Sequence, residues 1–324
     1  MNRREFLARG AAVCSAGWLA KGLGAWARAE TEELPELRIT PLTIPLPIER
    51  EFSALHISDT HLVYADERDS EKKRARALTR LEVFGGRPLE MLRASLRYAE
   101  EKNELLLHTG DMIDFVTARN LDLTKEAFAG RDCFASAGNH DFYPTQGDGS
   151  REDEEYKAIA FDEVQAVFPN DLRFCARVIN GVNFVAFDDV FYYVADDLID
   201  RFRAEAAKGL PIVAMCHCPL YTRELFEHCV GSNGDGVAYV VGASDEEIAH
   251  YPKWCSRWGY NEQRTNEATR AFLDYLRGEK ALKAILCGHL HFPCQGKFSE
   301  TATQYIAGGN FSGQANEIKF TPAA

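Results

Sequence analysis

Short runs of almost wholly apolar residues recur along the chain at Phe52–Ser58, Leu105–Thr109, Cys133–Ala137, Val182–Phe187, Ile212–Cys216 and Ala284–Cys287. Their length and their β-branched and aromatic content predict strands buried on both faces. Between several of them the apolar period changes. Pro88 opens a segment whose Leu89, Leu92, Leu96 and Ala99 share one helical face. Residues 152–168, 196–208 and Asn266–Arg277 also read as helices, with Gly209 and Gly278 as stop signals for the last two. Buried strands alternating with helices imply a layered α/β fold. Residues 30–50, punctuated by Pro35, Pro41, Pro45 and Pro47, are expected to be extended.

Two stretches exceed simple connections. Val63–Arg87 is charged, and its basic group at 72–76 reads as a solvated helix face. Leu220–Asn266 carries Gly231, Gly234, Gly236 and Gly242, then Tyr251, Trp254, Trp258 and Tyr260. Long segments of this kind often act as lids or binding loops. The 220–266 insertion is therefore a substrate cap or a small satellite core.

The first 29 residues form a separate signal. Arg3-Arg4-Glu5-Phe6-Leu7 precedes a small-residue, mildly apolar stretch, and Ala27-Arg28-Ala29 fits a cleavage site. The start resembles a twin-arginine export signal, which implies the twin-arginine export machinery as a partner and a periplasmic or otherwise exported product. The apolar stretch contains Lys21 and is too short for a good membrane span, so no stable span is expected in the mature form. The mature domain would run from 30 to 324.

The chain has 324 residues, 46% of them hydrophobic and 27% charged, as in a soluble globular protein. Its net charge of −12 becomes −16 once the signal removes five basic residues and one acidic one. That argues against a nucleic-acid-binding surface, which needs basic side chains to displace counterions from phosphates, and none is expected. An anionic substrate would have to be attracted by something other than Lys and Arg. Of nine cysteines, Cys14 leaves with the signal, and no Cys-x-x-Cys pair offers a structural zinc site. Cys216, Cys218 and Cys287 lie in or beside apolar runs, and the cysteines are expected to be mostly free thiols.

The chemistry gathers where the apolar runs end. The first ends Ser58-Asp59-Thr60-His61, the second Gly110-Asp111-Met112-Ile113-Asp114 and the third Gly138-Asn139-His140-Asp141. The run at 212–216 gives way to His217, and the last to Gly288-His289-Leu290-His291. C-terminal strand ends are where open α/β sheets place their sites. Carboxylate, neutral imidazole and the Asn amide oxygen all serve as metal ligands. Asp59, His61, Asp111, Asn139, His217, His289 and His291 together suit two metal ions if one carboxylate bridges. His56 and His108, within the strands, read as interior residues, and Asp188-Asp189, just after a strand, as a turn or else an extension of the site.

In order, Asp-x-His, Gly-Asp-x-x-Asp, Gly-Asn-His-Asp, a lone later His and Gly-His-x-His resemble the calcineurin-like metallophosphoesterases. The resemblance runs from Asp59 to His291. It implies a four-layer α-β-β-α sandwich of two mixed β-sheets flanked by helices. It also implies two divalent or trivalent transition metal ions, Fe, Mn or Zn, and hydrolysis of a small-molecule phosphomono- or phosphodiester by a metal-bridging hydroxide. Asp59, His61 and His291 would hold one ion, Asn139, His217 and His289 the other, and Asp111 would bridge. His140 would assist the leaving oxygen, Asp141 would orient His140, and Asp114 would hold the loop carrying Asp111. Asp114 and His61 stand where the purple branch of the family has Tyr and Gly, so no tyrosinate ligand is expected. The alternatives are a metal-binding module that recognises a phosphorylated ligand without turnover, or a hydrolase of pyrophosphate or sphingolipid-type diester linkages.

Overall fold

All six apolar runs become buried strands of two mixed sheets, with the run at 133–137 at a sheet edge. The structure, a computed structural model, describes residues 33–102, 104–145, 153–232, 236–251 and 265–323. The expected signal at 1–29 lies outside these residues, as do Gly234, Trp254, Trp258 and Tyr260 of the insertion. One sheet contains β1 (Arg38–Leu46), β2 (Phe52–Ile57), β3 (Leu105–Thr109), β4 (Cys133–Ser136) and β11 (Gln314–Pro322), in the order β1-β11-β2-β3-β4. The other contains β5 (Phe174–Ile179), β6 (Val182–Phe187), β7 (Ile212–Met215), β8 (Leu282–Cys287), β9 (Cys294–Lys297) and β10 (Thr303–Ile306), in the order β5-β6-β7-β8-β10-β9.

Side-chain alternation along the strands builds two cores. Phe184 and Ala186, Val213 and Met215, and Ala284 and Leu286 face Leu105, Leu107, Phe134, Ile318 and Phe320 between the sheets. Their neighbours Val185, Phe187, Ile212, Ala214, Ile285 and Cys287 face the opposite way. There they meet α5 (Leu198–Ala206), α6 (Arg223–Ser232) and α8 (Glu267–Gly278) through Phe202, Cys229, Phe272 and Leu276. Against β2 and β3 of the first sheet packs α2 (Pro88–Lys102), burying Leu92, Leu96 and Ala99. Helices therefore cover the outer faces of two mixed sheets, which is the α/β sandwich.

The helix signals act as expected. Asn266 caps α8, its side chain accepting the Thr269 N–H at 2.8 Å. Gly209 takes the left-handed conformation after α5, at φ 71°. The charged stretch after His61 contains a further helix, α1 (Glu71–Val83), capped by Ser70. The remaining helices are α3 (Ala118–Phe128), α4 (Glu154–Gln165) and, in the insertion, α7 (Asp245–Ala249). Among the described residues no helix is long and apolar enough to cross a membrane.

The parallel pairings position the site. In the first sheet β2, β3 and β4 are mutually parallel, and in the second so are β6, β7 and β8. Each set therefore ends on one edge of its sheet. The two edges adjoin, as the contacts between His217, after β7, and Asp111 and Thr109, after and in β3, require.

Candidate metal centre

Each segment that follows β2, β3, β4, β7 and β8 delivers one to three of the residues singled out in the sequence. The structure brings the Asp and His ligand candidates into one cluster, and next to Asn139 the His140 N–H donates to Asp111 Oδ1 at 2.8 Å. Asp59, His61 and His291 have donor atoms within 4.8 Å of one another, and so do Asp111, His217 and His289. His291 Nε2 lies 3.0 Å from His61 Nε2 and 3.4 Å from Asp59 Oδ1. His217 Nε2 lies 3.3 Å from Asp111 Oδ2 and 3.1 Å from His289 Nδ1. Asp111 Oδ2 also lies 3.6 Å from His61 Nε2. It thus stands between the two groups, where a bridging ligand would be.

The backbone reports the same focus. Asp59, His61, Asp111, His289 and His291 all have positive φ, between 47° and 69°. Only a few per cent of non-glycine residues adopt this region, and it costs of order 1–3 kcal/mol each. Among the described residues the other non-glycine cases are Asn180, Phe191, Tyr192 and Tyr239. The last two also border this cluster, since Tyr192 and Tyr239 lie against His289. Two glycines are required by close approach rather than by a turn. A Cβ on Gly138 would fall on the Asp111 carboxylate, and one on Gly288 would fall on Ser58 and Asp59.

Chemistry and burial fit a cation pair. Asp59, His61, Asp111 and His217 are at most 1% exposed, and Asn139 is 7% exposed. Asn139 Oδ1 is a buried acceptor with no hydrogen-bond partner, and the buried Asp59 Oδ1 has only the long 3.4 Å contact with His291 Nε2. A buried orphaned acceptor is costly unless something electropositive meets it. Burial alone would raise the Asp111 carboxyl, but His217 and His140 hold it well below the usual carboxylate range. Asp59 behaves alike: burial raises it, and its bond to His291 more than offsets that. Burial lowers His61, and together with His217 it lowers His289 to about 3. Ionised carboxylates and neutral imidazoles are the protonation states that ligate metals. His217 differs. Burial opposes its protonation, but Asp111 pushes it up to about 10, so a metal would displace that proton. Its Nδ1 donates to the Thr109 carbonyl at 2.7 Å, which leaves Nε2 as the ligating nitrogen.

The groups around His140 require a correction. Asp141 was expected to orient that ring. Instead its carboxylate accepts the backbone N–H groups of Gly138, Asp111 and Ile113 at 2.8, 3.0 and 3.0 Å. Asp141 thereby holds the Asp111 loop against the Asn139 loop, and burial pushes its carboxyl up to about 7. The residue at the His140 ring is Asp114, whose Oδ1 lies 2.8 Å from Nδ1. Burial works against a charged His140, but Asp111 and Asp114 raise it to about 9.

Two contributors went unread in the sequence, and a third was left open. Arg80 of α1 grips Asp114 with two bonds, at 2.6 and 2.7 Å. Phe84, just past the same helix, stacks on His61 with ring centroids 4.3 Å apart. Asp189, read as a turn residue or an extension of the site, accepts the His217 N–H at 2.9 Å from full burial. The sequence signals were the length of the 63–87 segment and, for Asp189, its place directly after the Val182–Phe187 run. His56 and His108 are interior, as expected, with Nε2 on the hydroxyls of Thr109 and Thr60 at 2.8 and 3.0 Å.

The sequence pattern of the calcineurin-like phosphoesterases matches residues 52–293. No curated protein sequence matches the chain. Among solved structures it is similar to a dimetal phosphatase from Danio rerio, at 14% identity and TM-score 0.38, over 80% of this chain and 88% of that one. It is also similar to a phosphopantetheinyl hydrolase from Mycobacterium tuberculosis, at 14% identity and TM-score 0.38, over 83% and 89% of the two chains. A 5'-nucleotidase from Candida albicans aligns at 14% identity and TM-score 0.39, over 86% of this chain and 47% of that one, so this chain spans about half its length.

Proposed function

The chain belongs to the calcineurin-like phosphoesterase family, and from that premise we propose that it is an exported enzyme using two transition-metal ions to hydrolyse a small phosphomono- or phosphodiester. Hydrolysis of phosphoester bonds with metal ions follows from the family. The division of ligands, the metal identity and the compartment are our reading. Asp59, His61 and His291 would hold one ion, Asn139, His217 and His289 the other, with Asp111 shared. Fe, Mn and Zn all accept these donors. The observation that carries the reading is a pair of buried acceptors that accept no well-formed hydrogen bond, one in each ligand set: Asn139 Oδ1, and Asp59 Oδ1, which faces His291 Nε2 at 3.4 Å.

Two bound cations would neutralise phosphoryl oxygens and make a shared water acidic enough to attack at neutral pH. The chain's own groups do the rest. His140 is partly exposed, and Asp114 occupies its Nδ1. Nε2 is then the nitrogen that would give a proton to the leaving alkoxide. A net acidic protein would draw an anion to this edge only through the cations. The insertion brings Tyr239 to within 6.0 Å of His289, ring to ring, which favours a substrate with an organic group. Export rests on Arg3-Arg4 and Ala27-Arg28-Ala29, and the twin-arginine machinery would be the carrier.

A panel of phosphomono- and diesters, run with added Mn on wild-type protein and on Asn139→Ala, tests this. Turnover by wild type and loss of at least tenfold in the variant are expected. Metal uptake without turnover of any ester would favour a recognition module instead.

A further inference from the structure

We propose that Tyr192 is a positioning residue for His289, fixing which ring nitrogen that histidine offers; this rests on the reading that Asp111, His217 and His289 take up a metal ion. The Tyr192 hydroxyl lies 2.8 Å from His289 Nε2. The other nitrogen, Nδ1, faces His217 Nε2 at 3.1 Å. A neutral imidazole has one N–H and one lone pair. The Tyr192 hydroxyl can accept the Nε2 proton, and in that tautomer the lone pair at Nδ1 is turned toward His217 and Asp111, as a ligand at Nδ1 requires.

The same turn reaches the neighbouring ligand. Asp189 accepts the backbone N–H of His217 at 2.9 Å, and the Tyr192 N–H donates to the Asp189 carbonyl at 3.1 Å. One segment after β6 thus holds two histidines that arrive from β7 and β8. Its backbone is bent to do so. Phe191 and Tyr192 are consecutive left-handed residues, at φ 66° and 67°, and neither is glycine. Both are buried, Phe191 fully. Two successive residues in a conformation that side chains disfavour are kept where the surroundings over-determine them, and here they place one hydroxyl on one ring nitrogen.

Tyr192→Phe keeps the ring and removes only the hydroxyl. Metal affinities are measured by chelator competition on Co-loaded and Mn-loaded protein, with the Co absorption spectrum and the thermal midpoint of metal-free protein in parallel. The expected result is that one of two dissociation constants weakens tenfold to a hundredfold while the other holds. The Co spectrum should change, and the metal-free midpoint should not. Two unchanged constants would overturn the proposal, with or without a lower kcat. Equal weakening of both constants with a fall in the metal-free midpoint would also overturn it, by making the residue one of packing. Wild-type protein that takes up no metal would overturn the proposed function as well, which separates the two failures.

Discussion

Asp114 Oδ1 lies 2.8 Å from His140 Nδ1 and 3.4 Å from His61 Nδ1. One carboxylate oxygen therefore addresses both the proposed proton donor and a proposed metal ligand. In Asp114→Asn the shape remains but the charge is gone, and His140 loses one of the two carboxylates that raise it. His140 works in its protonated form, so activity falls as pH rises through its pKa. The alkaline limb of the kcat/KM profile should move to lower pH in the variant, with a loss of about 10–100-fold at neutral pH. An unmoved limb would remove Asp114 from this role.

Arg80 connects the charged helix α1 to that carboxylate. Burial raises Asp114, but its bonds to Arg80 and His140 hold it well below the usual carboxylate range. Arg80→Ala should lose about 1.5–3 kcal/mol of stability, the range for hydrogen bonds to charged groups. The sign follows from the lowered carboxyl. Its contribution is complete above the unfolded-state value of about 3.9 and is lost as pH falls through the folded value. Urea unfolding at pH 7 and at pH 3 checks this, and the difference between Arg80→Ala and wild type should shrink at the lower pH.

Gly138 and Gly288 test how tightly the ligands are built. Alanine at Gly138 would place a methyl group on the Asp111 carboxylate. Overpacking of this kind costs about 1–3 kcal/mol. Gly138→Ala should unfold at a lower temperature and lose metal uptake, whereas Gly231→Ala, which meets open space, should do neither.

Burial pushes the thiols of Cys216 and Cys287 well above their ordinary range, and Cys229 up to about 12. Thiolate is the reactive form. Alkylation of native protein at pH 8, mapped by mass spectrometry, should spare all three and label them only in denaturant.

The central strands were legible because burial on both sheet faces leaves near-continuous apolar runs, as at Val182–Phe187. The edges were not. Strand β1 carries Pro41 and Pro45, which only an edge strand tolerates, and it lies at the sheet edge beside β11. Strand β9 is mostly exposed and shows no apolar run. The ligand set could be read because donor types stood directly after those runs, five of them in left-handed backbone. Arg80 and Tyr192 could not, since each reaches its partner through a fold-level contact: Arg80 from a charged helix, Tyr192 from a turn after β6.

The most direct measurement is elemental analysis of purified protein, supplemented with Mn, Fe or Zn and then desalted, alongside Asn139→Ala. The account predicts about two transition ions per wild-type chain, as a two-metal site requires, and about one in the variant. Fewer than one ion per wild-type chain would contradict it.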